Sequence, residues 1–380
     1  MKKTTKTLYL IAFIVIMCLP HFIFLLCRNH VDTNNYENRK LSDAPVVGTT
    51  SYTDFPAEFE SFYNDRLPFR NQLIALNNNL NYFLFRSNLA NRVMIGKEGW
   101  LFIEDPLQGN AKANYLGEDL LSDEELSALA DNLVLNEQLL RDKGIELVIM
   151  LSPNKSRVYS EFMPDYMGEP AKDYQLKQMI DYLEKNTDLK IVYNYDALMQ
   201  AKEVLGTKNS ASNDGIYLYH KSDTHWNNAG AYVGARELVK ALGGDMPDLD
   251  LLEIEETANE NCDLGMMLHM QDYFMDKEVN YSVTGYNENN VKELEFDVND
   301  VLSYESDAPD DRCIYVCRDS FGLAMAPYLG SQFKKVYFKH QNYYSAENLE
   351  EVNPDVFVLE VAERGAYYVM SSFDAFKASE

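Results

Sequence analysis

The sequence predicts an α/β fold, a mainly parallel sheet flanked by helices, preceded by one membrane-spanning helix. Three observations carry this. Apolar, strand-like segments alternate with amphipathic, helix-like ones from about residue 93 onward. "IELVIMLSP" (145–153) is an unbroken apolar run, the mark of a strand covered on both faces. Residues 8–27 contain no Asp, Glu, Lys or Arg over 20 positions, about the ~20 residues a helix needs to cross the hydrocarbon core.

Taken from the amino terminus, Lys2, Lys3 and Lys6 precede the apolar run and only Arg28 closely follows it. That bias keeps the amino terminus in the cytoplasm and puts the body outside, at the cell membrane in a single pass. No small-x-small site ends the run, so an uncleaved anchor is expected over a cleaved signal peptide. Leu26 stands where a lipoprotein signal before Cys27 would carry a small residue. Residues 29–90 read as a spacer broken by Pro45, Gly48 and Pro56, followed by a segment with helical spacing. Residues 91–380 form the main domain, with an acidic, irregular insertion at about 245–311 that holds a possible hairpin at 279–298.

Within the main domain, "VMIGKEGWLF" (93–102) reads as strand, turn, strand. Ser122 with Glu125 is a capping box that opens a helix, and Gly144 is its stop. Further helices are expected at 172–186 and 227–242, and strands at 190–198, 312–320, 334–340 and 356–363. The chain carries 60 acidic against 34 basic residues, a net charge of −26. Such a field repels nucleic acid, so no nucleic-acid role is expected. Cys313 and Cys317 sit four apart in one strand, ~13 Å, beyond disulfide reach.

In open parallel sheets, sites gather at the carboxyl ends of the strands. Three polar clusters fall there: "SPNKSRVY" (152–159), "HKSDTHWN" (220–227) and "CRDSFG" (317–322). Ser320, on a strand-to-helix turn, suits a nucleophile, which needs a histidine base held by an acid. Asp223 and His225 can supply both. Ser320 can equally be a helix N-cap and His225 a hydrogen-bonded loop histidine, and from local sequence both readings stand. Asn154, Lys155, Trp226 and Asn227 are substrate or oxyanion candidates, Trp226 as a platform for a sugar ring; Arg364 is expected to pair with an acid. His220 and His225 with one nearby Asp make a poor zinc set, so no metal or cofactor is expected.

The motifs "FYNDRLPFR" (62–70), "GKEGWLF" (96–102), "SPNKSRVY" (152–159), "DTHWN" (223–227), "CDLGMML" (262–268), "RDSFG" (318–322) and "EVAERG" (360–365) occur in this order. Together they resemble SGNH-hydrolase-like proteins of the alginate O-acetyltransferase type, nearest to the bacterial relatives named for an Asp-His-His-Trp (DHHW) motif. Thr224 stands where those relatives have a second His, as is usual in the alginate-type branch; Arg318 replaces the usual Gly. The resemblance implies an SGNH-like fold and a Ser320–His225–Asp223 triad. It also implies a membrane-anchored, extracytoplasmic O-acetyltransferase acting on a cell-surface or secreted polysaccharide, with a membrane-bound O-acyltransferase as donor partner. An esterase that removes such groups would carry the same triad, and a non-catalytic glycan-binding module is a third reading. No carbohydrate-binding segment is expected after residue 365, so glycan contact falls to the main domain.

Overall fold

The structure, a computed structural model, describes residues 3–35, 40–85, 92–106, 109–206, 215–287 and 289–378. Lys2 of the basic flank and residues 86–90 of the expected N-terminal segment lie outside the described residues. The chain divides into two units, residues 1–90 with 265–272, and residues 91–264 with 273–380.

In the first unit, the helix Lys3–Cys27 spans 25 residues. The span Thr5–His30, which contains most of this helix, reaches a mean hydropathy of 2.8 over 18 of its residues and is long and apolar enough to cross a membrane. The helical spacing expected further on resolves into two helices, Phe55–Asp65 and Arg70–Phe85. Leu67-Pro68 breaks them apart, and Phe69 takes a left-handed φ of 59° at the joint.

The second unit holds eleven strands among the described residues: β1 (Val93–Ile95), β2 (Leu101–Ile103), β3 (Glu146–Ser152), β4 (Lys190–Tyr193), β5 (Glu253–Ala258), β6 (Val279–Thr284), β7 (Val291–Phe296), β8 (Val301–Ser306), β9 (Cys313–Arg318), β10 (Lys335–His340) and β11 (Val356–Ala362). Seven form one sheet in the order β4-β3-β11-β9-β10-β8-β7. The first five run parallel; β8 and β7 extend the edge antiparallel. Side chains alternate between two apolar layers. Val148, Met150, Val316 and Val358 face the helices Asn228–Ala241 and Gly322–Gly330. Leu147, Ile149, Cys317 and Leu359 face Asp123–Arg141 and Gln175–Asn186.

The capping box at Ser122 forms as expected, and Gly144, at φ 80°, ends that helix. The expected strand 190–198 stops at Tyr193, because a helix, Tyr195–Leu205, takes over its second half. Residues 245–311 are more regular than their acidity suggests. Strands β6 and β7 of the expected hairpin exist, yet they do not pair with each other. β6 joins β5 in a separate ribbon, and β7 pairs with β8 on the main sheet. All five cysteines are free thiols.

The helix Asn228–Ala241 packs so closely that Gly230 has no room for a side chain: a Cβ there would lie 2.1 Å from the Leu218 carbonyl oxygen and 2.9 Å from Trp226 Cβ. Gly230→Ala should therefore destabilise the domain by about 1–3 kcal/mol or more, the range for overpacking. Chemical denaturation should show a lower midpoint; an unchanged midpoint would mean that the helix has slack.

Candidate active site

The loop 218–227 is a miniature hairpin. Tyr219 and Trp226 form an antiparallel bridge, with His220 N donating to His225 O (3.2 Å) and Asn227 N to Leu218 O (3.0 Å). Asp223, Thr224 and His225 sit at its tip. Two buried ions hold the tip. Lys155 Nζ donates to the carbonyls of His220 (3.0 Å), Lys221 (3.0 Å) and Asp223 (2.6 Å). Glu278 accepts from the amides of Lys221 (2.9 Å) and Ser222 (2.7 Å) and from the Ser222 hydroxyl (2.7 Å). Burial draws the Lys155 ammonium down to about 8, with the charges of Glu278, Asp263 and Asp223 opposing it. It stays charged at neutral pH. Burial pushes Glu278 up, but the nearby His220 and the hydrogen bonds from Ser222 and the Lys221 amide outweigh it and leave the carboxyl below its ordinary value.

On this held tip, Asp223 Oδ1 accepts from His225 Nδ1 at 2.6 Å and from the His225 amide at 3.0 Å. Its other oxygen accepts from Asp263 N at 2.8 Å. His225 Nε2 lies 2.7 Å from Ser320 Oγ. The structure thus brings Asp223, His225 and Ser320 into one hydrogen-bonded chain across 95 residues of sequence. Burial would raise the Asp223 carboxyl, but the charge of His225 and its hydrogen bond outweigh burial and hold it far below its usual range. Burial would lower His225, and the Asp223 carboxylate with Asp263 behind it raises it above its usual value.

Ser320 and Asp319 follow the end of β9, and Phe321, not Ser320, occupies the N-cap of the helix Gly322–Gly330. The serine hydroxyl bonds to His225 rather than to a helix amide. Asp319 shapes the turn by accepting from Phe321 N and Ala362 N, both at 2.8 Å. Arg318 is fully buried and donates to Val298 O at 2.8 Å and Asp319 O at 3.3 Å. Gly322 gives it space: a Cβ there would lie 2.7 Å from Arg318 Cβ.

The other candidates take different places. Trp226 is buried against Tyr219 and Phe321 and donates Nε1–H to Phe321 O at 3.0 Å; no sugar can stack on it. Asn227 is the N-cap of the helix Asn228–Ala241, accepting from Ala229 N and Gly230 N. Lys155 is spent on the loop carbonyls and does not face a substrate. Asn154 is also buried, but neither its carboxamide nitrogen nor its oxygen has a partner among the described residues. Arg364 lies over the Phe321 ring at 5.3 Å and makes no salt bridge with a carboxylate among the described residues.

Asp263 and Glu278 escaped the sequence reading. Asp263 accepts from Thr224 N (2.8 Å) and Thr224 Oγ1 (2.5 Å), so a threonine at 224 secures a second carboxylate beside His225. Burial and the charge of Asp223 raise Asp263 to about 6. Its one signal was its place in "CDLGMML". Asp223, His225 and Asp263 also present three ligand atoms within 4.8 Å of one another, but the Nδ1–H of His225 is already committed to Asp223.

Two predictions arise. Lys155→Met leaves three buried carbonyls without their donor and should cost about 1–3 kcal/mol or more, the scale for buried unsatisfied polar groups, seen as a fall in the unfolding midpoint. Asp263→Asn removes a charge that favours the imidazolium, so NMR titration should find the His225 pKa lower than in wild type. An equal or higher value would show that Asp263 is electrostatically silent.

Residues 93–293 match the model for the SGNH hydrolase-like domain of the acetyltransferase AlgX. The chain is 27% identical over 226 residues to a probable alginate O-acetylase AlgJ of Pseudomonas fluorescens, covering 57% of this chain and 50% of that one. It is 25% identical over 198 residues to the Pseudomonas aeruginosa protein of the same name, covering 52% and 43%. It therefore spans about half the length of the curated relatives it matches. A DHHW family protein from Eubacterium siraeum shares the fold, with a TM-score of 0.50 at 13% identity over 76% of this chain and 99% of that one. With its mixed seven-stranded sheet and more than half its length inside that match, the chain belongs to the SGNH hydrolase-like family of the acetyltransferase AlgX.

Proposed function

We propose that this protein is a membrane-anchored, extracytoplasmic serine O-acyltransferase that places acetyl groups on hydroxyls of a cell-surface or secreted polysaccharide. The observation that supports it most is the chain Asp223–His225–Ser320, with contacts of 2.6 and 2.7 Å. Family membership and the names of the AlgJ relatives favour acetyl as the group and a polysaccharide as the acceptor. The helix Lys3–Cys27 serves as the anchor, and a membrane-bound O-acyltransferase supplies the acetyl group.

On this reading Ser320 Oγ attacks the acetyl carbonyl of the donor while His225 Nε2 takes the hydroxyl proton. The imidazolium so formed is stabilised by Asp223, and it returns the proton to the donor's leaving oxygen as the tetrahedral adduct collapses. A sugar hydroxyl then gives its proton to His225, attacks the acetyl-serine, and leaves as the acetyl ester with Ser320 restored. The developing oxyanion needs fixed donors. The positive end of the helix Gly322–Gly330 begins two residues after Ser320. Asn154, at the carboxyl end of β3, has a carboxamide N–H to give.

Intact-mass spectrometry of the purified full chain after incubation with para-nitrophenyl acetate should show one added acetyl group on wild type and none on Ser320→Ala. Equal labelling of the two would falsify the mechanism. Asp223→Asn should slow labelling on the order of 10⁴-fold, the scale of losing a triad aspartate. His225 must be neutral to act as base, and its pKa is raised, so the labelling rate should climb with pH through a value above the usual ~6.5 of histidine. Asp263→Asn should move that profile to lower pH. Protease added to intact cells should release a fragment of nearly the full domain; complete protection would overturn the topology.

A further inference from the structure

The helix Arg70–Phe85 is inside out for a helix in water. It buries Asn78 and Tyr82, and Asn78 Nδ2 donates to the Leu268 carbonyl at 2.7 Å. The opposite face carries Leu73, Leu76, Leu80 and Leu84, exposed by 51%, 58%, 51% and 67%. At ~100° per residue these four fall within one narrow arc. After Arg70 the helix holds no charged residue, although the chain carries a net −26. An exposed apolar row of this kind needs a partner.

Contacts inside the same unit say which. The hydroxyl of Tyr63 lies 2.6 Å from His21 Nε2, with the two rings stacked at 5.9 Å. Phe69, next to the start of the leucine helix, meets Phe24 edge-on at 5.8 Å. His21 lies six residues before the end of the apolar helix at Cys27, about 9 Å along its axis. Phe55, Phe59 and Tyr63 form a ladder of stacked rings at 6.3 Å each, leading to that contact. Aromatic rings with polar tips gather at the membrane–water interface.

We propose that the helix Arg70–Phe85 lies in the outer surface of the bilayer, with its leucine row dipped among the acyl chains. This rests on the membrane-anchor reading above. An interfacial helix buries its apolar face ~5–10 Å into the headgroup boundary, a depth that the His21 and Phe24 contacts share. Because the helix has no cationic stripe, neutral lipid suffices and binding does not depend on salt.

The full chain is tested in phosphatidylcholine vesicles, with and without bromine on the acyl chains. One tryptophan is added at a time: Leu76→Trp, Leu80→Trp, or Ile14→Trp as the anchor reference. The native Trp100 and Trp226 are buried and give a constant background. Brominated chains should quench Leu76→Trp and Leu80→Trp, and aqueous acrylamide should quench them little. Quenching of Ile14→Trp alone, with the leucine positions open to acrylamide, overturns this proposal and leaves the anchor standing. Protection of the leucine positions from both quenchers assigns the row to a second copy of the chain and also overturns it. No quenching at Ile14→Trp overturns the anchor reading, and this proposal with it.

Discussion

Everything in the site depends on the two opposite charges that clamp residues 220–223. Lys155 collects three carbonyls and Glu278 two amides and a hydroxyl. A short loop inside a protein has backbone groups that no helix or sheet satisfies, and leaving them bare is costly. Here a cation and an anion brought in from distant parts of the chain saturate them. The loop can then be buried and held still, and a still loop lets Asp223 orient His225. The desolvation of each ion is offset by full hydrogen bonding, the condition under which buried charge is tolerated.

The same clamp explains how the site and the fold constrain each other. Lys155 follows β3, Glu278 precedes β6, and Ser320 follows β9. In the parallel core of the sheet the carboxyl ends of β3 and β9 lie on one side, with β11 between them. Trp226 ties the loop to the turn that carries Ser320 through the Phe321 carbonyl. The tryptophan is thus a positioning residue buried in the core, and its position beside His225 follows from that packing.

Much of this was legible in the sequence, for reasons that can be named. Fully buried strands such as β3 declare themselves by unbroken apolar runs, and helix Asp123–Arg141 by its cap and its glycine. Asp223, His225 and Ser320 stood out because acids, imidazoles and serines at strand ends are few. Partner choice was not legible. Alternating residues in β6 and β7 mark strands without saying what they pair with, so a hairpin was expected where two different ribbons form. Polar side chains near the motif, Lys155 and Asn227 among them, look alike whether they face solvent, a substrate or the protein's own backbone. Only the fold shows that these two serve the backbone. Asp263 and Glu278 were hidden in an acidic stretch, where two more carboxylates carry no signal.

Asp223 and His225 are neighbours on one loop, and only Ser320 comes from elsewhere in the sequence. Two of the three groups therefore share one short stretch of chain, and their spacing does not depend on how the strands of the sheet are set. A change in the turn after β9 alters only how the Ser320 hydroxyl meets an imidazole that is already placed. The strand-to-helix corner can thus change shape while the Asp223–His225 contact stays as it is.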